Sequence, residues 1–195
     1  MARFISITTD RGAEVLTQYM AEGGKLATTR ARAGDGRPIG DPHDLLDLVS
    51  PVTVSTQIGS RTYLPGTPSI MKIALQVTNA GLTERIYIRE LCVNGLDPDS
   101  NEIMPFYAYL DGADSDNVLD PPAGDEPDSI HTHELIVFLT DQQNAALDVK
   151  VTPGAFVSGE ALNDVREIAE TAQATASAAV PQTRKVNGQA LTDDI

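Results

Sequence analysis

A chain of 195 residues that is 41% hydrophobic is long enough for one domain with its own core plus an appendage. A single cysteine excludes an intrachain disulfide framework, no apolar run approaches the ~20 residues that span a bilayer, and the opening MARFISITTDRG lacks the apolar stretch of a signal peptide. The net charge of −14 is concentrated between Arg89 and Lys150, an interval with fourteen acids and no Lys or Arg; this argues against nucleic acid or anionic membrane as partner and leaves a solvated surface or a basic protein.

Phe4, Ile5 and Ile7 open a short extended segment. Thr8-Thr9-Asp10 offers a helix N-cap, Arg11 to Ala21 sets Ala13, Leu16, Tyr19 and Met20 near one helical face, and Gly23-Gly24 ends the helix. Leu26 to Ala33 alternates and predicts a strand. Gly34-Asp35-Gly36 reads as a turn needing unusual backbone angles, since the remainder of a phosphate loop is missing. After Pro38 and Gly40, Asp41 is placed to cap a short helix with Pro42 at its first position, carrying Leu45, Leu46, Leu48 and Val49.

From Val52 the apolar period becomes two. Val52 to Ile58 predicts a strand, and the prolines and glycines of 59–68 predict a loop or hairpin connection. Met71, Ile73, Leu75 and Val77 share one face of a strand, Asn79-Ala80-Gly81 turns the chain, and Glu84 to Val93 reads as one strand with Ile86, Ile88 and Glu90 facing one way. A turn over 94–101 leads to strands at Ile103 to Leu110, His133 to Leu139 and Ala146 to Val151. The polar stretch 111–129 is long for a loop in a compact domain, which points to a functional or mobile segment.

Beyond Ala155 the chain reads AFVSGEALNDVREIAETAQATASAAV. Leu162, Val165, Ala169, Ala172, Ala176 and Ala179 are spaced 3, 4, 3, 4 and 3, with Ile168 flanking, which is the seam of a helix wound around copies of itself. The competing reading is a single helix packed on its own domain, but residues 169–179 are small all round and make a poor core stripe. An alanine seam buries little area, at ~25 cal/mol per Å², so such a stalk is weak alone. Pro181 ends the helix.

Few constellations suggest chemistry. His131-x-His133 puts two imidazoles on one strand face, where three copies around an axis would suit a metal; exposed or hydrogen-bonded histidines are the simpler expectation. Asp97-x-Asp99-x-Asn101 echoes a calcium loop, but Glu102 replaces its glycine and Ala108 its last ligand, so a hairpin turn is expected. Asp111, Asp114, Asp116 and Asp120 would hold a cation only loosely. Cys92 sits in an apolar run and is expected to be a buried, inert thiol. No GxSxG, HExxH, Walker A or GxGxxG occurs, and neither a catalytic group nor a cofactor is expected.

Two stretches carry a resemblance. Thr183-Arg184-Lys185-Val186-Asn187-Gly188, with Leu191 and Asp194-Ile195, resembles the TRKVNGKxLxxDI element of bacteriophage tail fibres. The residues before Val151 are similar to the baseplate-attaching domain of phage tail-collar fibres. That family shows AVGDG where this chain has Arg32-Ala33-Gly34-Asp35-Gly36. It shows REIGLY and then DPDxGEILYAY where this chain has Arg89-Glu90-Leu91-Cys92-Val93 and DPDSNEIMPFYAY. The family's glycines after REI and in the 97–102 turn are absent here.

The combined expectation is an α+β chain. Residues 1–152 form a mainly antiparallel β head with one or two helices, 153–180 a helical coiled-coil stalk, and 181–195 the start of a fibre shaft. The resemblance implies a structural virion protein of the phage tail, assembled in the host cytoplasm, that is a homotrimer and not an enzyme. Its head would bind a baseplate or tail protein through Gly34, Asp35, Gly36, Asp111, Asp114 and Asp116. Its stalk would assemble through Leu162, Val165, Ile168, Ala169, Ala172 and Ala176, and its distal part would lead to a host receptor. Fibres of this kind continue beyond Asp194-Ile195, so a piece of a longer fibre or a short adaptor is expected. The alternatives are a module that itself grips a cell-surface glycan, disfavoured by 5% aromatics and no Trp, and a depolymerase, which needs a suitably spaced carboxylate pair.

Overall fold

The alternation of Met71, Ile73, Leu75 and Val77 produces the central strand of a three-stranded sheet, and all four side chains are fully buried, each stabilising by about 1.5–3 kcal/mol. The computed structural model describes residues 4–66, 69–110, 117–124, 128–153, 155, 171, 173, 185–186 and 189–190. They fall into two compact units, Met1–Phe156 and Val157–Ile195.

In chain order the first unit contains β1 (Phe4–Thr8), α1 (Asp10–Glu22), β2 (Leu26–Gly34), a 3-10 turn (Pro42–Asp44), β3 (Ser55–Leu64), β4 (Ser69–Thr78), β5 (Ile86–Ile88), β6 (Glu90–Leu96), β7 (Glu102–Leu110), β8 (Asn117–Leu119), β9 (Ile130–Leu139), α2 (Asp141–Ala145) and β10 (Leu147–Asp148). The unit is mainly antiparallel β with two helices. One sheet has the order β1-β7-β6-β2-β10, another β3-β4-β9, and β5 pairs with β8 in a separate ribbon. The pairing of β10 with β2 is parallel.

Three expectations change here. The 59–68 loop is largely strand: β3 runs on to Leu64, with a register shift between Ile58 and Ser60. Gly59 sits at that bulge because a Cβ there would stand 2.8 Å from Gln76 Cδ. The single strand over Glu84 to Val93 divides at Arg89, with β5 in the ribbon and β6 in the five-stranded sheet. The strand over Ala146 to Val151 shrinks to Leu147–Asp148, preceded by α2. Thr140 and Gln143 form a reciprocal capping box for α2, which satisfies two otherwise unpaired donors at its start.

Helix α1 matches its sequence signals. The Thr9 hydroxyl accepts from the Gly12 amide, and Gly23 closes the helix with φ 74°. Its buried residues are Gly12, Val15 and Leu16, so the face is rotated from the expected one. The rotation follows from a bulge in β7, where Met104 and Pro105 lie opposite Asn94. Pro105 has no amide to pair, and a bulge is where a strand tolerates it. The bulge carbonyls turn to α1: Thr9 donates to Pro105 O through its amide (3.0 Å) and to Met104 O through its hydroxyl (2.6 Å).

The sheets pack face to face. Strand β2 lies beside β3 at one corner and β1 beside β9 at the other, where the Ile136 amide donates to Ser6 Oγ at 3.1 Å. Ala33, Val93, Phe106 and Ala108 meet Ile73 and Leu75 in the main core. Val15 and Leu16 of α1 extend that core, as do Ile88 and Leu119 of the ribbon. The chain leaves β10 along β2 and β3: the Lys150 amide donates to Thr28 Oγ1 (2.8 Å), and Thr152 exchanges hydrogen bonds with the backbone of Ile58.

In the second unit, β11 (Lys185–Val186) pairs antiparallel with β12 (Gln189–Ala190). The seam residues Leu162, Val165, Ile168, Ala169, Ala172, Ala176 and Ala179 lie outside the described residues.

Candidate functional site

The outer face of the five-stranded sheet carries a second, smaller core of Leu48, Cys92, Met104 and Tyr107, with Ile7, Leu45 and Tyr109 half-buried around it. Residues 35–51 lie over it as a strap. The expected helix there is only the 3-10 turn Pro42–Asp44, capped by Asp41 with its carboxylate accepting from the His43 amide. Beyond the turn the strap turns Leu48 inward, while Leu46 is 75% exposed.

The strap is pinned by Glu90. This carboxylate is fully buried at the start of β6. Its Oε1 accepts from the Ser50 amide (2.7 Å), and its Oε2 accepts from the Val49 amide (3.0 Å) and the Tyr107 hydroxyl (2.9 Å). Three donors offset the cost of desolvating the carboxylate. Burial and the adjacent Glu90 charge raise the pKa of Tyr107, so the phenol keeps the proton it donates.

Gly34 and Gly36 belong to this arrangement. Among the described residues the positive-φ glycines are Gly23, Gly40, Gly81 and Gly124, so unusual backbone angles are not what these two supply. They supply room. A Cβ on Gly34 would overlap Glu90 Oε1 and stand 2.6 Å from Ser50 O; one on Gly36 would stand 2.7 Å from both Glu90 Oε1 and Val49 Cβ. The Asp35 amide donates to Ser50 O (2.9 Å), and Asp35 O accepts from Arg89 Nη1 (3.3 Å). The Arg89 amide donates to Gly34 O (2.9 Å), and the Arg89 guanidinium lies 4.5 Å from the centre of the Tyr87 ring. Gly34, Asp35 and Gly36 are therefore the root of the strap, and exposed surface begins beyond them, with Ile39 at 92%. Further pins are Asp47 to Arg32, and the His43 ring to Thr8 O at 2.8 Å.

Asp111, Asp114 and Asp116 lie outside the described residues. Other acids of that interval meet bases from earlier in the chain: Asp97 with Arg11 (2.9 Å), Glu102 with Arg30 (2.5 Å), Asp120 with Arg85 (2.6 Å) and Glu134 with Lys72 (3.6 Å). Folding thus mixes charges that the sequence segregates. Asp120, of the acids considered for a loose cation site, is engaged by Arg85. The Asp97 motif makes a turn, with Oδ1 accepting from the Asp99 (3.0 Å) and Asn101 (2.8 Å) amides; these hydrogen bonds, the Asn101 amide first, hold its carboxyl below the usual range. Ser100 supplies the positive φ of 67° where a glycine is usual.

His131 and His133 lie 6.4 Å apart between ring centres. His133 packs 5.1 Å from the Phe4 ring, and its Nε2 lies 3.0 Å from the Asn117 amide nitrogen, an arrangement suited to a neutral ring that accepts. Burial, then the neighbouring His131, pushes its pKa down to about 4. Among the described residues no three His, Cys, Asp or Glu side chains gather as metal ligands. Cys92 is buried, which pushes its thiol up to about 12.

A recess of about 510 Å³, which no sequence motif marks, lies at the far end of the three-stranded sheet, lined by Gly66, Ser69, Phe138, Thr140, Asp141 and Gln143. Phe138 is 60% exposed there. Asp141 Oδ1 accepts from the hydroxyls of Ser69 (2.8 Å) and Tyr63. The signal for this site was an aromatic at an outward-facing strand position just before a capping box. The chain matches no protein-family model, no curated protein and no solved structure.

Proposed function

We propose that the chain is a structural virion protein. Its head attaches to the tail baseplate of a phage or of a phage-derived contractile particle, and its C-terminal part carries the host-recognition fibre. One observation supports this reading. Two of the stretches that resemble the tail-collar fibre domain, Gly34-Asp35-Gly36 and Arg89-Glu90, lie far apart in sequence and touch in the fold. A resemblance arising by chance has no reason to fall on two segments that pack together. In this reading residues 153–180 are a homotrimeric coiled-coil stalk and 181–195 begin the shaft. The partner is a baseplate or tail protein, and the chain is not an enzyme.

The test is solution mass by light scattering, with and without residues 156–195. A trimer lost on truncation supports the stalk, and the pair Leu162→Asp and Val165→Asp should abolish it equally. A monomer in both forms overturns the self-sufficient trimeric stalk and favours a stand-alone binding module.

The alternative, a module that grips a cell-surface glycan, draws support from the exposed Phe138 beside Asp141 and Gln143. An aromatic face next to polar groups suits a sugar ring. A glycan-array signal abolished by Phe138→Ala would favour it, and a blank array would dismiss it.

A further inference from the structure

We propose that residues 35–51 form a releasable strap, which lifts from the sheet as a unit while the main core stays folded and so uncovers the face around Cys92 and Tyr107. The first argument is separation. The strap covers the small core of Leu48, Cys92, Met104 and Tyr107, whereas the sheets are joined through a different cluster. Lifting one leaves the other intact.

The second argument is what holds the strap. It contains one 3-10 turn and no strand, and its ladder-like pairing is the single bridge of Gly34 with Pro51 at its root. The Val52 amide donates to Ala33 O (3.0 Å), so both ends stay anchored when the middle moves. Of its large apolar side chains, Leu48 is buried and Leu45 half-buried, while Ile39, Leu46 and Val49 face outward. Elements with few buried apolar contacts and no ladder occupy the low-stability end of a fold.

The third argument is what the open state leaves behind. Glu90 loses the Val49 and Ser50 amides but keeps the Tyr107 hydroxyl, and water reaches the vacated side. Arg32 loses Asp47 but keeps Asn94 Oδ1 at 2.9 Å. Neither charge is left buried and alone, the condition that makes most openings costly.

Cys92 is the only thiol in the chain and lies beneath Leu48, so its reaction with an aromatic disulfide reagent reports the strap. The labelling rate is measured on the full chain across urea concentrations below the unfolding transition. The expected result is labelling faster than global unfolding permits and nearly independent of urea. Leu48→Ala should raise that rate by about tenfold or more. Asp47→Ala, at an exposed carboxylate, should also raise it and leave the urea midpoint unchanged. Should Leu48→Ala fail to fold, Asp47→Ala decides alone. Labelling that follows global unfolding in the native chain and in Asp47→Ala overturns the proposal.

Discussion

The carboxylate of Glu90 lies against the Cα of Gly34, leaving no room for a methyl group between them. Gly34→Ala should therefore force Glu90 or the strap aside and cost about 1–3 kcal/mol. The urea midpoint measures the loss. Shortening the acid makes room, so Glu90→Asp should partly suppress Gly34→Ala. The double variant should fall short of the summed losses, as expected for residues in contact.

Replacing Glu90 by Gln keeps the volume and inverts part of the hydrogen bonding. The amide nitrogen would face a donor, either a strap amide or the Tyr107 hydroxyl. A cost of about 1–3 kcal/mol is expected for the donor left unpaired. Tyr107→Phe removes one donor without adding a conflict. In a double-mutant cycle read by urea unfolding, the two changes should be strongly non-additive.

At Gly12 two effects oppose each other. Alanine is better than glycine in a helix by about 1 kcal/mol. A Cβ there, however, would stand 2.5 Å from both Cα and O of Pro105, which are backbone atoms of the bulge. Overpacking against an immovable neighbour costs about 1–3 kcal/mol, so Gly12→Ala should lower the thermal midpoint. A raised midpoint would mean that α1 slides easily over the bulge.

His133 gives the head a defined acid sensitivity. Its pKa is about 4 in the folded protein, from burial and then His131, against 6.5 for the free ring. Between these values the unfolded chain binds more protons, so this contribution is complete above pH 6.5 and is lost as pH falls toward 4. At most it amounts to about 3 kcal/mol. Urea midpoints at pH 7 and pH 5 should separate in the native chain and converge in His133→Gln.

Legibility in the sequence followed the range of the interactions. Helix α1 was legible at both ends because Thr9 and Gly23 act on their own neighbours. Strand β4 was legible because both of its neighbours leave its alternation intact. The division at Arg89 was not, since Ile86, Ile88 and Glu90 keep a period of two while the partner strand changes from β8 to β7. Helix α2 is too short to show apolar periodicity, although Thr140 and Gln143 carried its signature. Glu90 stood out only as an acid inside an apolar run. Two of its donors come from the strap about forty positions earlier and the third from Tyr107 on the next strand, which local pattern does not reveal.

The pairing of Phe4 with Leu110 and of Leu26 with Leu147 has a consequence for synthesis. During synthesis β1 waits for a partner about a hundred residues behind it, and β2 gains its parallel neighbour later still. At usual elongation rates that interval is on the order of ten seconds. During it, the apolar residues Phe4, Ile5 and Ile7 have no strand partner, and they gain one only when β7 has emerged.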